Sequence, residues 1–397
     1  MSEVESQSSV YTTRTASLKE LALLFFKLGT IAFGGPAAHI AMMEDEVVRR
    51  KRWLEQEKFL DLLGMTNLIP GPNSTEMAIH IGYVQGGFAG LLVAGSCFIL
   101  PATLIVGAIA WAYVRFGTLP VATGLLYGVK PVVIAVVLQA LIRLGKTAVK
   151  TKFLVAIGLV AGVLSFLGVN ELVVLFGAGI VVAMHKWLML DRPPGTPPTA
   201  LLAATPILAQ VAVKTAATAV NFSLWSLFLF FLKVGAVLFG SGYVLLAFLR
   251  ADLVERWRWL SDAQLLDAIA VGQVTPGPVF TTATFIGYIL AGPLGAVIST
   301  LGIFLPAFLF VALSSPLVPF LRRSPIAGAF LDGLNVASLA LMAVVTLQLS
   351  QAALVDWITV ALVIVSAIML IRYRLNSVWL VLGGAIIGLL AFWWVKL

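Results

Sequence analysis

Apolar runs long enough to enter or cross a bilayer alternate with short charged clusters along almost the whole chain. The pattern predicts membrane segments at residues 18–43, 68–83, 86–116, 121–144, 153–167 and 172–190. A second set follows at 222–249, 265–288, 289–313, 326–349, 354–371 and 378–395. Between the sets, 191–198 carries four prolines in eight residues and reads as a linker. Residues 199–220 are apolar enough for one further crossing, although Lys214 weakens it. The alternation of a barrel strand is absent, so the pattern points to an all-α polytopic membrane protein. The expected organisation is a polar tail at 1–17, a first repeat at 18–190, a linker with the extra crossing at 191–221 and a second repeat at 222–397.

The two sets are copies of one another. Phe25, Lys27, Gly29, Phe33, Gly34, Trp53, Leu54, Asp61, Pro70, Gly71, Pro72 and Thr75 recur in the same register as Phe231, Lys233, Gly235, Phe239, Gly240, Trp259, Leu260, Asp267, Pro276, Gly277, Pro278 and Thr281. One residue then drops out, and Ile81-Gly82-Tyr83 matches Ile286-Gly287-Tyr288. Each copy is broken twice: at Gly34-Gly35-Pro36 and Pro70-Gly71-Pro72, then at Gly240-Ser241-Gly242 and Pro276-Gly277-Pro278. Such breaks survive at membrane depth only against protein or a wet cavity. The broken segments either span or re-enter on the side they came from, giving about thirteen spans or about nine spans with four re-entrant hairpins. Re-entry keeps Arg49 to Arg52 cytoplasmic and is preferred.

Composition agrees: 60% of the 397 residues are hydrophobic and 11% charged, with a mean hydropathy of +1.03, whereas a soluble domain needs roughly 25% charge. The net charge of +8 is carried by cations beside apolar runs, which argues for membrane orientation and against nucleic acid. Arg143, Lys146, Lys150 and Lys152 form a basic loop in the first half; in the second, Arg322, Arg323, Arg372 and Arg374 favour loops that are not its equivalents. The halves are therefore expected to be inverted, as the extra crossing would allow. Cys97 is the single cysteine, so no intramolecular disulfide can form. No nucleophile, metal or cofactor signature is present, which argues against an enzyme.

The breaks carry the candidate chemistry. Helices restarting at Gly34, Gly35 and Pro36, at Pro70, Gly71 and Pro72, at Gly240, Ser241 and Gly242, and at Pro276, Gly277 and Pro278 aim free amides and a positive dipole end at whatever fills the cavity. Asn73, Ser74, Thr75, Thr281 and Thr282 offer side-chain donors there, or simply cap the helices. Lys27 and Lys233 lie deep in apolar runs, where a cation costs about 2.5–3.5 kcal/mol; they are read as substrate-binding, with snorkelling as the alternative. Four helix ends and two lysines suit a compact dianion. Glu76, near His80, is a candidate proton-coupling group or a structural partner of a lysine. Lys130 is mid-segment, but its counterpart is the neutral Asn335. Trp53, Trp259, His39 and His185 are expected at interfaces, and Glu46 and Asp252 in structural roles. The Gly124/Gly128, Gly158/Gly162 and Gly384/Gly388 pairs read as close helix packing.

Several of these motifs in order, in both halves, resemble the chromate ion transporter family: Phe33-Gly34-Gly35-Pro36, Glu46, Trp53, Ile69-Pro70-Gly71-Pro72-Asn73, Ile81-Gly82-Tyr83 and Leu100-Pro101, with Phe239-Gly240-Ser241-Gly242-Tyr243 and Thr275-Pro276-Gly277-Pro278 as second-half versions. The resemblance covers essentially the whole chain; Ser241 departs from it, standing where glycine is commoner. It implies a two-domain carrier of the bacterial or archaeal inner membrane that expels chromate, driven by the proton gradient or membrane potential, and so confers resistance. Sulfate, a similar tetrahedral dianion, is the rival substrate, and an anion channel the rival class. The implied partners are the anion and membrane lipid, without a cofactor; a homodimer is among the assemblies left open.

Overall fold

The computed structural model describes residues 15–33, 35–66, 68–117, 119–190, 221–238, 244–321, 324–373 and 375–396. The expected crossing at 199–220 lies outside them, as do Gly34, Gly240, Ser241 and Gly242.

The first half runs α1 (Leu18–Ile31), α2 (Pro36–Glu44) continuing as a π-helical turn (Asp45–Arg50), α3 (Gln56–Thr66), α4 (Asn73–Phe116), α5 (Pro120–Ala148), α6 (Lys152–Phe166) and α7 (Glu171–Leu190). The second half repeats it as α8 (Leu224–Val237), α9 (Leu245–Phe248) with its π-helical turn (Leu249–Arg256), α10 (Asp262–Val274), α11 (Thr282–Leu321), α12 (Pro325–Ala353), α13 (Trp357–Arg372) and α14 (Ser377–Lys396). Sequence punctuation explains the boundaries. Ser17 with Glu20 and Ser223 with Ser226 form reciprocal caps at the starts of α1 and α8. Pro36 opens α2 at the first helical position, and each π-helical turn leads into an arginine with positive φ, Arg52 (53°) and Arg258 (56°).

Among the described residues, five helices are long and apolar enough to cross a membrane: Asn73–Phe116, Pro120–Ala148, Glu171–Met189, Val279–Leu313 and Pro325–Ala353. By contrast α1 and α8, with 14 residues each, rise only about 21 Å against a hydrocarbon core of about 30 Å. Helix α4 is two helices in one: its ladder breaks at Gly86 and Gly87, and a Cβ on Gly82 would lie 2.3 Å from the carbonyl oxygen of Gly90. In a straight helix those residues would be about 12 Å apart, so 73–85 and 88–116 form a sharp hairpin. The same turn recurs in α11 at Ala291 and Gly292, where Gly287 meets Gly295.

The halves interlock. Helix α1 packs on α4 and α8 on α11, while α4 packs on α11. Beyond that core the later helices are exchanged: α5 holds α13 and α14 of the second half, and α12 holds α6 and α7 of the first. Gly128 against Gly384 and Gly388, and Gly158 against Val336, make these contacts backbone-close, so the expected glycine packing is real and largely runs between halves.

Three expectations change. Trp53 is 1% exposed and His39 also 1%: the turn at Arg52 folds Trp53 under α4, where Gln85 donates to its carbonyl, and α2 folds inward so that His39 meets the Ala32 carbonyl and packs edge-on to Phe98. Arg143 and Lys146 belong to the last turns of α5, not to a loop.

Candidate functional site

The two Pro-Gly-Pro breaks each meet the end of the helix that leads into a break of the other half. The Gly71 amide donates to the carbonyl of Leu238, where α8 ends, at 2.8 Å. Its equivalent, the Gly277 amide, donates to the carbonyl of Ala32, where α1 ends, at 2.9 Å. Both glycines have positive φ (139° and 89°), which other residues adopt only under strain. At Gly277 a Cβ would also come within 2.6 Å of the Ala102 side chain and 3.2 Å of the Gly29 carbonyl.

Helices that restart at this junction do so without side-chain caps. Neither Gly35 before α2 nor Pro72 before α4 accepts a capping bond through its side chain. Their first-turn amides and positive dipole ends border two cavities lined by both halves. The smaller, about 280 Å³, is bounded by Phe33, Gly35 and Ala38 of the first break, by Gln273, Thr275 and Gly277 of the second half, and by Gln139 and Arg143 of α5. The larger, about 450 Å³, is bounded by Pro36, Ala37 and Asn73, by Val244 just past the third break, and by Asn335 and Ser338 of α12. At its edge Lys150 pairs with Asp332 at 2.7 Å.

Arg143 lines both cavities, and no acid among the described residues lies within ion-pair distance of it. An arginine between uncapped helix starts makes a positive, donor-rich junction that fits a small oxyanion.

The lysines singled out from sequence border neither cavity. Lys27 donates to Glu46 at 2.8 Å, and Arg50 reaches the same carboxylate at 3.4 Å. At the equivalent positions Lys233 and Arg256 both bind Asp252. Each triad ties the end of the first broken helix to the π-helical turn that follows, so Glu46 and Asp252 are structural. The first triad is looser: Lys27 is 53% exposed against 35% for Lys233, and Glu46 is 12% exposed against 0% for Asp252.

Of the other predicted residues, Gly35, Pro36, Asn73 and Gly277 border the cavities. Pro70, Pro72, Pro276 and Pro278 shape the loops around Gly71 and Gly277. Thr281 and Thr282 donate their hydroxyls back to the carbonyls of Pro278 and Val279, so they are bonded locally rather than facing a ligand. Ser74, Thr75 and Glu76 are buried, and neither the Thr75 hydroxyl nor the Glu76 carboxyl has a hydrogen-bond partner among the described residues.

Sequence reasoning missed Arg143, Gln139, Gln273 and Thr275 as cavity residues. Only the position of Arg143 at the end of an apolar run marked it, and that same position reads as a topology signal. It also set Lys130 aside. In the fold Lys130 pairs across the halves with buried Asp267 at 3.2 Å, and the Tyr113 hydroxyl donates to the same carboxylate at 2.9 Å.

The sequence model described as chromate transporter matches this chain twice, over residues 19–183 and 225–389. A chromate transport protein of Cupriavidus metallidurans is 34% identical, over 98% of this chain and 97% of its own length. One of Pseudomonas aeruginosa is 33% identical over 95% and 93%, and a probable chromate transport protein of Synechococcus elongatus is 32% identical over 89% of each. No solved structure matches the chain.

Proposed function

The chain belongs to the chromate transporter family, and we propose that it is a secondary active carrier that exports chromate across the cytoplasmic membrane and thereby protects the cell. The observation that carries this reading is the junction where the breaks of the two halves meet, with Arg143 shared by its two cavities.

A tetrahedral dianion leaving water must recover its hydrogen bonds from fixed donors. Arg143 offers a planar fork that binds two oxygens at once, and the first turns of α2 and α4 offer amides and positive dipole ends. Asn73, Gln139 and Thr275 provide further polar groups from both halves. Gly34, Gly240 and Ser241 belong to the same breaks by sequence and are assigned to the same site. Lys27 and Lys233 act at one remove, holding the broken helices through their acids.

Reciprocal bonds of Gly71 and Gly277 support an inverted repeat, with the two triads then on opposite faces of the membrane. The short α1 and α8 and the hairpins within α4 and α11 support re-entry of the broken segments. Rocking one interlocked half against the other would then open the junction to each side in turn.

Sulfate shares charge and shape with chromate and would meet the same donors, so it is the rival substrate. The test is uptake of labelled chromate into proteoliposomes with an imposed gradient. Saturable uptake that sulfate competes with weakly is expected. Preference for sulfate would transfer the reading to that anion, and non-saturating flux would replace the carrier by a channel.

A further inference from the structure

We infer that Glu76 is the proton-carrying group of the transport cycle, bound as a neutral acid in the conformation described and emptied when the junction opens. The inference rests on the carrier reading above and adds to it the residue that holds the coupled proton.

Glu76 is 0% exposed, and neither carboxyl oxygen has a hydrogen-bond partner among the described residues. On the elements packed against α4, Lys27 of α1 is bound to Glu46, and His39 of α2 meets the Ala32 carbonyl. Asp61 of α3 and Tyr288 of α11 contribute no bond to it either. A bare carboxylate in such a place would lose its hydration and receive nothing in return, whereas the protonated acid carries no charge to solvate. The described conformation is therefore one that keeps a proton on Glu76.

Two features connect that proton to transport. Glu76 stands one helical turn beyond Asn73, which borders the larger cavity. Its Oε1 also lies over Gly71, within 2.3 Å of where a Cβ would be, and Gly71 makes the hydrogen bond to Leu238 of the other half. Losing the proton would place a charge directly against the loop that locks the halves together, and opening the loop would give that charge water. The first turn of α4 supplies the dipole end that the carboxylate would then use, in competition with a bound dianion. One turn further on, buried His80 has an unpartnered Nε2, a second proton acceptor on the same helix face and a route by which the proton can leave. In the second half the dropped residue leaves no acid counterpart: Thr281 and Thr282 stand there, both bonded to local carbonyls, so the site is built once.

The test uses full-length protein in proteoliposomes and compares wild type with Glu76→Gln, which imitates the protonated acid. Chromate-for-chromate exchange by the variant should stay within about threefold of wild type, because the loaded junction only reorients. Stimulation of net chromate flux by an imposed pH gradient should disappear, and proton movement reported by an enclosed pH indicator should disappear with it. Unchanged pH stimulation in the variant would overturn the inference, and so would loss of exchange along with net flux. A measurement on wild type alone decides the matter if the variant does not insert: a chromate gradient that moves no protons contradicts the proposal. Failure of wild type to exchange chromate at all would instead remove the carrier reading on which it rests.

Discussion

The two Pro-Gly-Pro loops have the same backbone role and opposite chemistry. After Pro72 the chain enters α4 directly through the polar residues Asn73, Ser74, Thr75 and Glu76, and Thr75 and Glu76 keep buried side-chain oxygens without a partner among the described residues. After Pro278 it passes through one 3-10 turn, Val279–Thr281, and then Thr282, with every hydroxyl bonded locally and Phe280 packed on Phe304. That turn rises about 2.0 Å per residue instead of about 1.5 Å, which helps the second repeat reach the same height with one residue fewer. Glycine conformations, amide-to-carbonyl bonds and helix hairpins are shared because they depend on backbone. Among the described residues, the unpaired charge at the cavities lies in the first repeat: Arg143 there matches Gln348 in the second, which accepts a hydrogen bond from Arg250. A duplicated frame would thus enclose the one anion site and the one proton site proposed above.

The strongest way to break this comparison is to disturb the shared backbone. Gly277→Ala should cost about 1–3 kcal/mol of stability, since it combines positive φ with contacts to Ala102 and the Gly29 carbonyl, and should stop chromate transport. Gly71→Ala meets only the movable end of Glu76 at close range, so it should unfold less readily and disturb the pH response more. Thermal unfolding and vesicle uptake, measured together, separate the two; equal effects on both would show that the loops do not differ as described.

A smaller effect sharpens the comparison at the triads. Lys233→Ala leaves Asp252, fully buried, with Arg256 alone and should cost about 2–3 kcal/mol. Lys27→Ala removes a half-exposed partner of Glu46, which retains Arg50, and should cost under about 1 kcal/mol. Asp252→Asn in the Lys233→Ala background should recover part of the loss. Equal costs for the two lysines in chemical unfolding would deny the difference in burial its energetic meaning.

The parts of this architecture that depend on local sequence were legible before the fold. Clustered proline and glycine disfavour continuation of a helix, so the breaks and the start of a new element at Gly86 are visible in the sequence, as is the duplication. Lys27 and Lys233 stand out as cations within apolar runs, yet their acids lie 19 residues away, and the sequence carries no distance between α1 and the π-helical turn. Trp53 was placed at an interface by the usual preference of tryptophan, which the turn at Arg52 overrides. Cross-half partnerships were invisible because they arise from exchange of later helices between repeats. Lys130 meets Asp267, and Arg143 meets the breaks, only once α5 has been laid against the second half.

Equilibrium binding of labelled chromate to purified wild type, Arg143→Lys and Arg143→Gln tests the account most directly. Wild type should bind saturably, Arg143→Lys more weakly, and Arg143→Gln about 10- to 100-fold more weakly, the loss expected for a charge-assisted fork removed from an anion. Unaltered affinity in Arg143→Gln, with the protein intact, would contradict the placement of the anion where the two halves meet.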